Sequence, residues 1–131
     1  QLAVVKRFVK DLNFDIEIIG CPIIREADGL AKSSRNTYLN KEERQAALIL
    51  SKSLKLGLEA IKNGERSVKV VTDIITKSLQ TEKLAKIDYV SIVDNENIQY
   101  IDEIKGEILC AIAVYIGKTR LIDNFIYKCE E

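Results

Sequence analysis

The sequence predicts an α+β domain: two main helices packed on a small antiparallel sheet, preceded by a helix and strand that read as the end of a βαβ unit. Three observations carry this. Apolar residues recur at helical spacing over residues 2–12, 47–61 and 68–79. From residue 88 the pattern changes to alternation and then to a continuous apolar run, Ile108 to Ile116. Gly117-Lys118 breaks that run where a hairpin would turn.

Taken in order, Leu2, Val5, Val9 and Leu12 form one stripe, with Lys6, Arg7, Lys10 and Asp11 between them, which predicts a helix ending before Asn13. Asp15 to Gly20 alternates and closes on glycine, which predicts a strand. Residues 21–37 carry Pro22, Asp28, Gly29, Ser33, Ser34 and Asn36 and form a loop of unusual length, the kind that is often functional in a compact domain. A helix follows from Asn40, which stands at capping-box spacing from Glu43. Its stripe is Ala47, Leu50, Leu54, Leu58 and Ile61, and Asn63-Gly64 supplies a left-handed end. Val68, Val71, Ile75 and Leu79 mark a second helix, with Ser67 near its start. Asp88 to Asp94 reads as a strand, Asn95-Glu96-Asn97 as a turn and Arg120 to Tyr127 as the last strand. Tyr38 and Leu39 are expected to pack under the first long helix, and Asp123 and Asn124 to serve the ends of the last strand. Glu42 and Glu43 fall in a first helical turn, where they favour the helix dipole.

Composition narrows the function. The 131 residues suit one domain, and 47% are apolar, enough for one modest core. Twenty basic against 20 acidic residues leave no global field to gather nucleic acid or anionic membrane. No apolar run approaches the roughly 20 residues of a membrane span, and the N-terminus has no signal-peptide pattern. Histidine is absent, which excludes imidazole-based triads and the commonest general base. Cys21, Cys110 and Cys129 fit no zinc spacing, and their odd number speaks against a disulfide scaffold; a cytoplasmic setting is expected, with Cys110 in the core. The chain opens mid-pattern on Gln1 rather than Met, as a processed or truncated polypeptide would.

The informative stretch is Arg25-Glu-Ala-Asp-Gly-Leu-Ala-Lys-Ser-Ser-Arg-Asn36. Lys32 supplies a point charge, Ser33 and Ser34 supply hydroxyl donors, and Arg35 supplies a planar fork, a set that suits a polyphosphate. Gly29 lets the backbone bend ahead of them. By composition alone, such a tetrapeptide is more often a solvated loop than an anion site. Asp28 is expected to fix the loop by pairing with Arg25 or Arg35.

Pro22 to Leu39 resembles the signature of the pantothenate synthetase family, in which a proline precedes Arg-Glu-x-Asp-Gly-Leu-Ala, a hydrophobic or lysine position and Ser-Ser-Arg-Asn. Ile87-Asp-Tyr-Val-x-Ile-Val-Asp94 and Gly117-Lys-Thr-Arg-Leu-Ile-Asp-Asn124 are similar to the family's closing strands, so the resemblance spans essentially the whole chain. It implies a Rossmann-like N-terminal domain and a smaller C-terminal lid with the active site between them. Residues 1–23 would be the tail of the first and 24–131 the lid. It further implies an AMP-forming ligase that condenses pantoate with β-alanine through pantoyl adenylate, using ATP and Mg²⁺. The carry-over places Ile24, Lys32, Ser33, Ser34 and Arg35 at ATP, with the Ile24 backbone on the adenine edge. Gln1 matches a pantoate-binding glutamine. Lys32 stands where many members carry Met. The family's His-x-Gly-His motif cannot lie in a chain without histidine, so no catalytic residue is assigned here, and the fragment is expected to be inactive alone. Expected partners are the missing N-terminal domain and a second copy in a homodimer, with neither nucleic acid nor membrane. A stand-alone module with the lid fold, or part of another adenylate-forming nucleotidyltransferase, are the competing readings.

Overall fold

A computed structural model describes residues 1–129. Its elements are helix α1 (Leu2–Asp11), a 3-10 helix (Ser34–Tyr38), helices α2 (Lys41–Ala46), α3 (Leu48–Lys62) and α4 (Val68–Leu79), and strands β1 (Ala85–Asp94), β2 (Glu107–Ile116) and β3 (Thr119–Lys128). The strands form one antiparallel sheet in the order β1-β2-β3, with α3 and α4 against it. This is the expected α+β arrangement. Among the described residues, no helix is long and apolar enough to cross a membrane.

The core follows from two periodicities meeting. Alternation along β2 turns Ile108, Cys110, Ile112, Val114 and Ile116 to one face, and each is fully buried. Leu50, Leu54 and Ile61 of α3 and Val71, Ile75 and Leu79 of α4 supply the facing stripe. Gly57 lets α3 and α4 approach: a β-carbon there would lie 2.6 Å from Ile75 Cδ1. The buried Ser53 hydroxyl bonds the Ser78 hydroxyl at 2.8 Å across the same helix pair, so its burial leaves it paired.

The local signals at the helix ends are realised. Asn40 Oδ1 accepts from the Glu43 N–H and Glu43 Oε2 accepts from the Asn40 N–H, both at 2.9 Å. The Ser67 side chain caps α4. The single helix expected from Asn40 is instead two segments joined at Ala47. The Leu50 N–H there bonds the Ala47 carbonyl, a tighter i to i+3 contact, while Ala47 keeps helical angles of φ −61° and ψ −20°. Gly117 takes φ +57° at the first central position of a two-residue β2–β3 turn, the place glycine holds in type II′ hairpins.

The strand expected over Asp15–Gly20 is not formed. No described strand lies beside it, and a lone strand has no ladder to hold its backbone. Ile16 and Ile19 stand 60% and 76% exposed, and no residue of α1 is buried. Helix α1 touches the sheet domain through polar side chains at the turn after β1: Arg7 Nη1 donates to Asn97 Oδ1, and Lys10 Nζ lies 2.7 Å from Glu96 Oε1. Tyr38 is 74% exposed and does not pack under α3, whereas Leu39 does join the core margin. The tyrosine lies in the last turn of the 3-10 helix, which carries no buried residue.

Candidate functional site

The long loop is a structured hairpin. The Lys32 N–H bonds the Ile24 carbonyl at 2.9 Å and the Glu26 N–H bonds the Leu30 carbonyl at 2.8 Å. The Gly29 N–H bonds the Glu26 carbonyl at 2.9 Å, closing a turn at which Gly29 holds φ +96°, a conformation that glycine adopts without strain. The chain then enters the 3-10 helix, whose start is capped by Ser33 Oγ accepting from the Arg35 N–H at 3.2 Å. Thr37 Oγ1 donates to the Ser34 carbonyl at 2.7 Å, and Asn36 Nδ2 donates back to the Ala31 carbonyl at 3.0 Å.

Two ion pairs pin this hairpin, and both differ from the pairing expected of Asp28. Arg25 forms a two-pronged contact with Asp123 of β3, Nη1 to Oδ2 at 2.7 Å and Nη2 to Oδ1 at 2.9 Å, and its Nη1 also donates to the Gly29 carbonyl at 3.1 Å. Asp28 pairs with Arg44 of α2 at 2.8 Å and accepts from the Leu30 N–H. Asp123 therefore does not serve a strand end. It sits within β3, its side chain only 2% exposed, because the arginine fork supplies the partners a buried carboxylate requires. That contact, above all its hydrogen bonds, raises the pKa of Arg25 further above its already high ordinary value. Asn124, likewise expected at a strand end, lies within β3 and lines the adjacent cleft.

A cleft of about 250 Å³ opens between hairpin and sheet. The loop contributes Lys32, Ser33, Arg35 and Asn36, and β3 contributes residues 120 to 124, Asp123 among them. Ser34 faces a neighbouring depression that Lys32 and Ser33 share. Lys32 Nζ is 3.9 Å from Glu26 Oε2, both side chains about half exposed. Arg35 forms no ion pair among the described residues. Asn36 Oδ1 is buried without a hydrogen-bond partner among the described residues. Ile24 is 63% exposed, its carbonyl accepts from the Lys32 N–H, and it is not among the residues lining the cleft. Gln1 lies at the start of α1 and is not among the residues lining the cleft.

The structure thus gathers Lys32, Ser33 and Arg35, sets Ser34 beside them and leaves Gln1 apart. The sequence reading missed Asn36, Arg120 and Asn124 as lining residues. Residues 120 to 124 of β3 all line the cleft, so strand alternation alone does not single out Arg120 and Asn124. Arg120 is tied to Asp88 of β1 at 2.8 Å and lies 5.9 Å above the Tyr89 ring.

Fold and site together define an α+β domain with a cationic, hydroxyl-bearing loop seated beside a three-stranded sheet. The profile of the pantoate-beta-alanine ligase family matches residues 1–126, and the chain belongs to that family. A pantothenate synthetase of Clostridium botulinum (strain ATCC 19397 / Type A) is 66% identical over 128 residues, which is 98% of this chain and 46% of that protein. The crystal structure of pantothenate synthetase from Thermus thermophilus superposes with a TM-score of 0.86 at 35% identity, over 95% of this chain and 45% of that one. A pantoate-beta-alanine ligase from Francisella tularensis, complexed with beta-gamma ATP and beta-alanine, matches with a TM-score of 0.55 at 29% identity, over 96% of this chain and 39% of that one. The chain spans less than half the length of these relatives.

Proposed function

We propose that this chain is the C-terminal part of a pantothenate synthetase, with residues 24–131 as the lid over ATP and residues 1–23 as the tail of a Rossmann-like domain. The observation that carries this reading is the cleft itself. A loop matching the family signature sets Lys32, Ser33 and Arg35 opposite Arg120, cations and hydroxyl donors around a space into which phosphates fit. The buried Asn36 Oδ1 suits an N–H donor of the same ligand. In this reading the backbone of Ile24, whose carbonyl already accepts from the Lys32 N–H, meets the adenine edge, and Ser34 meets a phosphate oxygen. Gln1 would meet pantoate within the whole enzyme.

In this reading the pantoate carboxylate attacks the α-phosphorus of ATP and pyrophosphate leaves. The amine of β-alanine then attacks the acyl carbon of pantoyl adenylate, and AMP leaves. The chain's own side chains align the phosphates and offset charge that builds on them. Among the described residues, no group of three or more acidic, cysteine or histidine side chains is placed to hold a metal ion. Mg²⁺ would accompany the nucleotide and offset charge on its phosphates. The exposed apolar side chains Val4, Phe8, Phe14 and Ile19 support a covering partner, the N-terminal domain or a second copy in a homodimer. Cytoplasmic biosynthesis is the setting this activity implies.

AMP release with ATP, Mg²⁺, pantoate and β-alanine tests the reading. The full-length enzyme containing this chain should turn over, and the 131-residue chain alone should not. Turnover by the chain alone at roughly 1 per second or more, or a full-length enzyme inert towards these substrates, would refute it.

A further inference from the structure

The fork of Arg25 ties the loop hairpin to β3 at Asp123, which itself lines the cleft between Ile122 and Asn124. Ile122, Asp123 and Asn124 all line the cleft from one side, with the Asp123 carboxylate held by Arg25, and seven to ten residues further along from Arg25 lie Lys32, Ser33 and Arg35 on the other side. Arg25 also holds the Gly29 carbonyl at the hairpin's tip, so one guanidinium joins β3, the first arm of the hairpin and its turn. A second strut, Asp28 to Arg44, holds the same turn to α2 but touches no cleft residue of β3.

We infer that Arg25 and Asp123 are positioning residues that set the spacing between the phosphate-facing loop and β3. The inference rests on the ATP reading of the cleft. Neither side chain needs to touch the nucleotide. Removing the fork leaves the core packed, with Leu30 of the hairpin still seated in it, but frees the hairpin's arms to shift against β3. A lysine at position 25 keeps the charge and loses the planar geometry that engages both Asp123 oxygens and the Gly29 carbonyl together.

The test uses the full-length enzyme with Arg25→Lys and, separately, the paired change Arg25→Met with Asp123→Leu, which replaces a buried ion pair by apolar groups and can leave stability near its starting value. Both should raise the KM for ATP about tenfold or more, leave the KM for pantoate within about twofold, and speed amide exchange of residues 30–36 about tenfold, with exchange in α3 and α4 unchanged. Faster loop exchange with an unchanged KM for ATP would overturn the positioning role, because the pair would then be structural only. Unchanged loop exchange would overturn the strut itself. If the unsubstituted enzyme shows no ATP-dependent activity, the reading of the site fails, and the exchange measurement alone decides whether the pair orders the loop.

Discussion

Glu43 Oε1 lies only 2.1 Å from the point where a β-carbon on Gly117 would stand, so the cap of α2 and the β2–β3 turn occupy adjoining space. The other carboxylate oxygen of Glu43 accepts from the Asn40 N–H, so the side chain cannot swing away without opening the capping box. Gly117→Ala should therefore cost about 1–2 kcal/mol for the left-handed conformation and up to about 1 kcal/mol for the disturbed cap. Urea unfolding of Gly117→Ala, Glu43→Ala and the double variant checks this. The double variant should lose less than the sum, and strict additivity would show that the two residues do not compete for space.

A second close approach lies between the long helices. Gly57→Ala would gain about 1 kcal/mol of helix propensity. The new methyl, however, would stand 2.6 Å from Ile75 Cδ1 and 2.7 Å from its Cγ1, in a helix contact that is already full. Overpacking of this kind costs about 1–3 kcal/mol, so the net change should be destabilising by about 1 kcal/mol. In an Ile75→Ala background the same substitution should become stabilising. A rise in melting temperature for Gly57→Ala in the parental chain would contradict the packing argument.

Local and short-period features were legible before any coordinates. The stripes Leu50-Leu54-Ile61 and Val71-Ile75-Leu79, the Asn40–Glu43 cap and the hairpin at Gly117 each depend on residues a few positions apart. Asp15–Gly20 depends on more than its own pattern. Alternation states that a segment could pair, but pairing needs a neighbour, and no described strand provides one. The loop's chemistry was readable from Lys32 to Arg35, but its supports were not. Arg25 and Asp123 lie 98 residues apart, and nothing local distinguishes that partner from Asp28, three positions from Arg25.

Cys110 connects burial to alkaline stability. Its place in β2 pushes the thiol up to about 12 from 9.0, first through desolvation and then through the charge of Asp123. The folded chain holds that proton more tightly than the unfolded chain does. The stabilisation is therefore complete below about pH 9 and is lost as the pH rises from 9 towards 12. The stability gap between the parental chain and Cys110→Ala should stay constant to pH 9 and narrow by about 1.4 kcal/mol per unit above it. In the native state at pH 8, a thiol reagent should modify exposed Cys21 quickly and Cys110 only on unfolding. Equal rates at the two sites would contradict the burial.

Under the proposed ATP reading of the cleft, Arg35 and Lys32 should differ in their effect on adenylation by the full-length enzyme. Lys32 stands 55% exposed and 3.9 Å from a half-exposed Glu26, so solvent screens its charge, and its loss should cost about 1 kcal/mol or less. Arg35 lines the cleft and forms no ion pair among the described residues. The loop carboxylate expected to compete for it, Asp28, is taken by Arg44. Its fork can hold two phosphate oxygens as charge builds, and losing one such donor costs about 3–4 kcal/mol, a factor of order 10² to 10³ in rate. Pre-steady-state formation of pantoyl adenylate should accordingly fall by that factor in Arg35→Ala and by tenfold at most in Lys32→Met, with both melting temperatures close to the parental value. A lowered melting temperature for Arg35→Ala, with a parental adenylation rate per folded molecule, would mean that the arginine only braces the loop. If Lys32→Met is the slower variant, the two roles are reversed, and the lysine rather than the arginine meets the phosphates.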